Sequence, residues 1–300
     1  MTLRRNPQIS WCPRLVRILT VPALLLIPSM NARSASLELV AVADTELRAT
    51  TPDGVAAGST IVAGGMGGFT ANETRRALLR FDLAPIPANA VVREVQLTLE
   101  IVRVPQNPGS APFELRRLLG AWSEVAASWN SRLAGVPWQT PGALGVSDAE
   151  GTVSSTAARE GLGAMSFPST ATLVADVQGW LRDPATNHGW LLRSQSEDLL
   201  RTARHFASRE AVIGTTRPKL TVTYSLPPVI ESLSIEGSEM VFQFAARAGE
   251  TYRVEGREIL VEGEWEPGQT FGPFAEDQSV VVREELIAGA SSRFFQVSVE

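Results

Sequence analysis

The sequence predicts an all-β protein: an antiparallel jelly-roll β-sandwich with one short helix, followed by a small second β-sandwich domain. Three observations carry this. Runs alternating apolar and polar residues recur along the chain, Gly, Pro, Ser and Asn separate them, and one stretch alone has helical periodicity. Many strands with a single helix argue against alternating α/β units.

In "RRALLRFDL" (75–83), counting by twos puts Ala77, Leu79, Phe81 and Leu83 on a core face and Arg76, Leu78, Arg80 and Asp82 on the other. That second face is either a cationic ladder for a ligand or a solvated surface. "VVREVQLTLEIVRV" (91–104) alternates Val95, Leu97, Leu99 and Ile101 with Glu94, Gln96, Thr98 and Glu100, as a half-buried antiparallel strand does. "FELRRL", "HGWLLRS", "HFASRE" and "KLTVTY" are further strands. The helix is "TATLVADVQGWL", where Leu173, Val174, Val177, Trp180 and Leu181 form one stripe and Asp183-Pro184 ends it. After residue 225, "MVFQFAARAGETYRVEG", "QSVVVREEL" and "SRFFQVSVE" are strands with turns.

Residues 1–35 have the order of a secretory signal peptide: Arg4, Arg5, Arg14 and Arg17, then the apolar run "ILTVPALLLIP", then the small-residue stretch "NARSAS". Cleavage is expected near Ala35 or Ser36, giving a secreted, extracellular protein with no membrane span in the mature chain. Cys12 lies inside this leader, so the mature chain has neither a disulfide nor a thiolate-bound metal.

The whole chain has 27 basic and 32 acidic residues. Residues 226–300 hold 14 acids and five arginines, so the acidity is concentrated there, and no region has the basic excess of a nucleic-acid binder. Lys219 is the only lysine. An arginine complement suits fork-shaped recognition of carboxylates, although a compositional bias toward Arg explains it equally well. Pro227-Pro228 and the charge shift divide the mature chain into residues 36–225 and 226–300.

The blocks "ADTELR" (43–48), "RRALLRFDLAPIPANAVVREVQLTLEI" (75–101), "WSEVAASWN" (122–130), "NHGWLLRSQSE" (187–197), "FASRE" (206–210) and "RPKLTVTY" (217–224) together resemble the DNRLRE domain. This is a disaggregatase-related β-sandwich similar to carbohydrate-binding modules. The resemblance implies a jelly roll that binds polysaccharide without cleaving it, as an accessory to a separate catalytic or cell-surface protein. Where such domains have an Asn and an aromatic residue after the first strand, this chain has "VAAGST", keeping only Gly58. The C-terminal part resembles the small β-sandwich modules that end many secreted bacterial proteins.

Candidate ligand residues are Arg76 and Arg80, which on one strand face would bridge the carboxylates of an anionic polysaccharide, and Trp138, whose ring in "GVPWQTPG" would stack on a sugar. Calcium is the candidate ion, held by Asp44 and Glu210, since carboxylates near two strands of a closed sandwich suit a hard cation. No catalytic set is expected. His188 and His205 are the only histidines and sit in a turn and on a strand surface. A structural or adhesive surface protein is the second reading, and a polysaccharide-cleaving enzyme the third, to be recognised by a carboxyl pair in a groove.

Overall fold

The computed structural model describes residues 26–28, 32–67, 73–226, 228–258, 264–286 and 294–299. The leader up to residue 25 with Cys12, residues 68–72, and Pro227 of the expected boundary lie outside the described residues. The chain is all-β with one α-helix. Its strands are β1 (Leu26–Pro28), β2 (Ala32–Arg48), β3 (Thr60–Gly65), β4 (Thr74–Phe81), β5 (Val91–Arg103), β6 (Pro112–Arg117), β7 (Ser131–Leu133), β8 (Val136–Pro137), β9 (Ser155–Ala158) and β10 (Gly163–Phe167). Helix α1 (Ala171–Arg182) precedes β11 (Trp190–Ser194), β12 (Arg204–Ala207) and β13 (Lys219–Leu226). There follow β14 (Ile230–Glu236), β15 (Glu239–Ala246), β16 (Tyr252–Arg257), β17 (Glu266–Phe271), β18 (Gln278–Glu285) and β19 (Phe294–Val299). Among the described residues no helix is long and apolar enough to cross a membrane.

The part up to Leu226 is sandwich-like. In one antiparallel sheet β5 is flanked by β10 on one side and by β13 and β12 on the other; β2 then pairs with β13, and β3 with β12. The second sheet runs β9, β6, β11, β4, and β4 pairs with the far halves of β2 and β3. Strands β2 and β3 thus pass from one sheet to the other and join them along an edge. A core including Leu39, Leu79, Phe81, Leu97, Phe113, Trp190, Phe206 and Leu220 fills the interior. Helix α1, capped by the Thr170 hydroxyl accepting from the Leu173 N–H, adds Leu173, Val177, Trp180 and Leu181, the expected stripe.

A bulge in β2 governs the rest. Leu39, Ala41, Ala43 and Leu47 look in the sequence like one alternating apolar face. The register against β4 shifts between Ala41 and Ala43, so Leu39 and Ala41 lie in the sandwich core while Ala43 and Leu47 face outward into a second apolar cluster. Directly opposed residues share a face. Asp44 opposite Leu79 and Glu46 opposite Ala77 therefore point inward.

The outward cluster corrects the reading of β4. Its Arg76 face is neither a wet surface nor a free ladder, because the segment from Leu118 to Ala149 lays Trp122, Ala127, Trp138 and Ala143 over Leu47, Leu78 and Leu191. Leu78 is completely buried there. Gly142 allows the close approach: it has φ +84° and a Cβ would lie 2.3 Å from Arg76 Nη1.

In the C-terminal part, β14, β15 and β18 form one antiparallel sheet, and β17, β16, β19 and β1 another, with β1 parallel to β19. Met240, Phe242, Phe244, Tyr252, Val254, Val282, Phe295 and Val297 make its core. Strand β1 comes from within the expected leader, and β2 begins at Ala32, ahead of the expected cleavage point.

Candidate functional site

Where the joined edge of the sandwich opens, a pocket of about 420 Å³ is walled by Val55, Ala57, Ile61 and Val125 and floored by Asp44. Its polar groups come from three separated parts of the chain. The bulge aims Asp44 inward from β2, Glu124 comes from the covering segment, and Arg209 and Glu210 follow β12. Ser208 anchors that last segment: its hydroxyl donates to the Gly58 carbonyl and its N–H to the Ser59 carbonyl.

Carboxylate oxygens of Asp44, Glu124 and Glu210 lie within 4.8 Å of one another. Arg209 runs through the group. Its guanidinium donates to both oxygens of Glu124 at 2.7 and 2.6 Å and lies 2.8 Å from Glu210 Oε1, and its backbone N–H donates to Asp44 Oδ2 at 2.7 Å. The Asp44 N–H donates to Glu124 Oε1, and the Ser208 hydroxyl contacts Glu210 Oε2. Both oxygens of Glu124 and Oε1 of Glu210 thus already have a donor or a cation, while the one Ser208 proton goes to the shorter contact with Gly58 and leaves Glu210 Oε2, on an exposed residue, to solvent. Asp44 Oδ1 has no donor among the described residues.

Burial pushes the Asp44 carboxyl up to about 7; the Arg209 N–H opposes this, and the charges of Glu210 and Glu124 add to it. Burial also works against Glu124, yet the hydrogen bonds from Arg209 and from the Asp44 N–H, with the charges of Arg209 and Arg80, hold it below the usual carboxylate range. The fold therefore binds a proton at Asp44 between about pH 4 and pH 7 that the unfolded chain has released. The stability this lends is complete below about pH 4, falls as pH rises, and is gone above 7. Asp44→Asn, neutral at every pH, is expected to melt above the wild type at pH 8, by a free-energy margin on the order of 4 kcal/mol, and to lose that margin by pH 4. Thermal melts of both proteins across this range provide the check, and a margin constant with pH would contradict it.

The expected calcium ligands Asp44 and Glu210 do come together, with Glu124 as a third carboxylate. The Glu124 signal lay in "WSEVAASWN", where the tryptophans drew attention from the acid. Calcium needs six to eight oxygens, and here the Arg209 guanidinium occupies the place between Glu124 and Glu210. The arrangement suits calcium poorly.

The other expected residues lie elsewhere. Arg76 is buried, donates to Glu197 through Nε and Nη2 at 3.0 and 2.7 Å and to the Gly142 carbonyl, and stacks 4.8 Å over Trp129. Arg80 is half-buried over Trp122. Trp138 is buried, its indole donating to the Ser128 carbonyl, so it presents no ring to a ligand. Each expectation assumed a two-layer sandwich; the covering segment makes a third layer. Compared with family models and with curated proteins, the chain matches none.

Proposed function

We propose that the protein is a secreted, non-catalytic carbohydrate-binding protein whose ligand enters the Asp44–Glu124–Glu210 pocket. In this reading residues 36–225 form a jelly-roll binding domain of the DNRLRE type, and residues 226–300 a small accessory domain facing a separate catalytic or cell-surface protein. One observation carries it. Three blocks on which that resemblance rests, "ADTELR", "WSEVAASWN" and "FASRE", lie far apart in sequence and supply Asp44, Glu124 and Arg209-Glu210 to a single pocket. Carboxylates with a half-buried arginine above aliphatic walls are suited to sugar hydroxyls and C–H faces, and the volume is that of a small-molecule site. The anionic ligand expected from Arg76 and Arg80 loses its support, since Arg76 is spent on Glu197.

A glycan array of neutral, cationic and anionic oligosaccharides, probed with the full secreted chain, tests this. Binding to at least one glycan class is expected, and an empty array would favour the structural or adhesive reading. A cleaving enzyme has one observation on its side: Asp44, holding its proton up to about pH 7, beside Glu124, held ionised, is the division of acid and base that glycoside hydrolysis uses. Incubation with the bound oligosaccharide is expected to yield no shorter product; new reducing ends lost in Glu124→Gln would establish the enzyme instead.

A further inference from the structure

We infer that the pocket takes a sugar bearing a protonated primary amine, with the ammonium seated against Asp44 Oδ1. This rests on the carbohydrate-binding reading and narrows it to amino sugars. Glu46 at the inner wall is balanced by Arg75 and Arg48. Glu124 and Glu210 share the single cation Arg209. Among the described residues Asp44 has no side-chain cation of its own, and its Oδ1, on a residue only 4% exposed, is the one oxygen of the cluster that lacks a donor on a buried residue. Where Asp44 is ionised, above about pH 7, a buried carboxylate with an open lone pair at the floor of a cavity is costly unless something donates to it.

Four ligand chemistries compete for that position. A uronate would bring a further negative charge against three carboxylates. A neutral sugar would give one hydroxyl hydrogen bond and leave the charge unbalanced. Calcium would find one free oxygen and aliphatic walls. An ammonium on a pyranose body supplies charge and up to three donors in one group, and its carbon skeleton packs on Val55, Ala57 and Val125. The positive charge of the ammonium would also lower the Asp44 pKa, against the burial that raises it.

Calorimetric titration of the full chain with short β-1,4 oligomers of glucosamine, N-acetylglucosamine and glucose, and with calcium chloride, decides the matter. The glucosamine oligomer is expected to bind at least about tenfold more tightly than its acetylated counterpart, which differs by the lost charge, and Asp44→Asn to reduce that preference to less than about threefold. Equal or tighter binding of the acetylated or glucose oligomer would overturn the amine inference while leaving the carbohydrate reading intact. Calcium binding that is lost in Asp44→Asn would overturn it in favour of a metal site. Silence of all three oligomers together with an empty array would remove both.

Discussion

Replacing Arg204 with methionine is expected to cost the sandwich at least about 3 kcal/mol, since each buried acceptor stripped of its donor costs roughly 1–3 kcal/mol. Arg204 is wholly buried, and among the described residues no carboxylate is bonded to it. Its guanidinium is spent on main-chain carbonyls: Nε donates to Arg159, Nη1 to Thr202 and Ala203, and Nη2 to Gly109. Burial pulls its pKa down, opposed only by the charge of Glu160. One side chain thus ties together the segments before β6, after β9 and before β12. Lysine keeps the charge but has three donors on a point-like head rather than a planar fork, so Arg204→Lys should recover only part of the loss. Urea unfolding followed by tryptophan emission reads this core directly, because Trp122, Trp129, Trp138, Trp180 and Trp190 all lie in it or in its covering layer. A loss below about 1 kcal/mol would contradict the clamp.

The second large effect is expected at Arg76. Read from the sequence alone, Arg76→Gln is a surface change that spares the fold. In the structure Arg76 is the first member of a half-buried chain of alternating charges, Arg76–Glu197–Arg193–Glu114–Arg116, and also holds the covering segment through Gly142 and Trp129. Arg76→Met should cost about 2–4 kcal/mol, somewhat under the roughly 3–5 kcal/mol for breaking a buried pair by removing one partner. Glu197 keeps Arg193 at 3.1 Å, which limits the damage. The double variant Arg76→Met, Glu197→Met is expected to recover part of the loss, because no buried charge is then left unpaired. Stability of the single variant equal to wild type would return Arg76 to the surface role that its alternation suggests.

Alternation and punctuation were enough for the all-β class, for β4, β5, β6, β11, β12, β13, β15, β16, β18 and β19, and for α1, because each depends on a local period and a stop signal: Leu173 to Leu181 for the helix, Val95 to Ile101 for β5; the short strands β7 to β10 and β17 lack that signal. Asp44 and Glu210 were found by their place as carboxylates in the blocks "ADTELR" and "FASRE" near two strands. Three things were not legible. The bulge at Val42 reverses the side-chain phase of β2 without breaking the apolar alternation, so nothing local marks Asp44 as inward. The covering segment folds by long-range packing of Trp122, Trp129 and Trp138 on Leu78, and an Arg-Leu-Arg pattern on a strand does not reveal a third layer above it. Glu124 and Arg209 meet across 85 residues of chain, a separation to which sequence periodicity is blind.

The central claim, that a glycan enters the acidic pocket and not the arginine face of β4, is tested most directly by filling the pocket. Ala57 lines it from an exposed loop position, so Ala57→Trp obstructs the cavity without disturbing either core. Calorimetric titration with the tightest oligosaccharide found on the array is expected to show full affinity for the wild type and at least about a tenfold loss for Ala57→Trp, with unchanged melting of the fold. That much is the penalty of about 1.4 kcal/mol or more for displaced contacts. Undiminished binding by Ala57→Trp would place the glycan elsewhere and contradict the account.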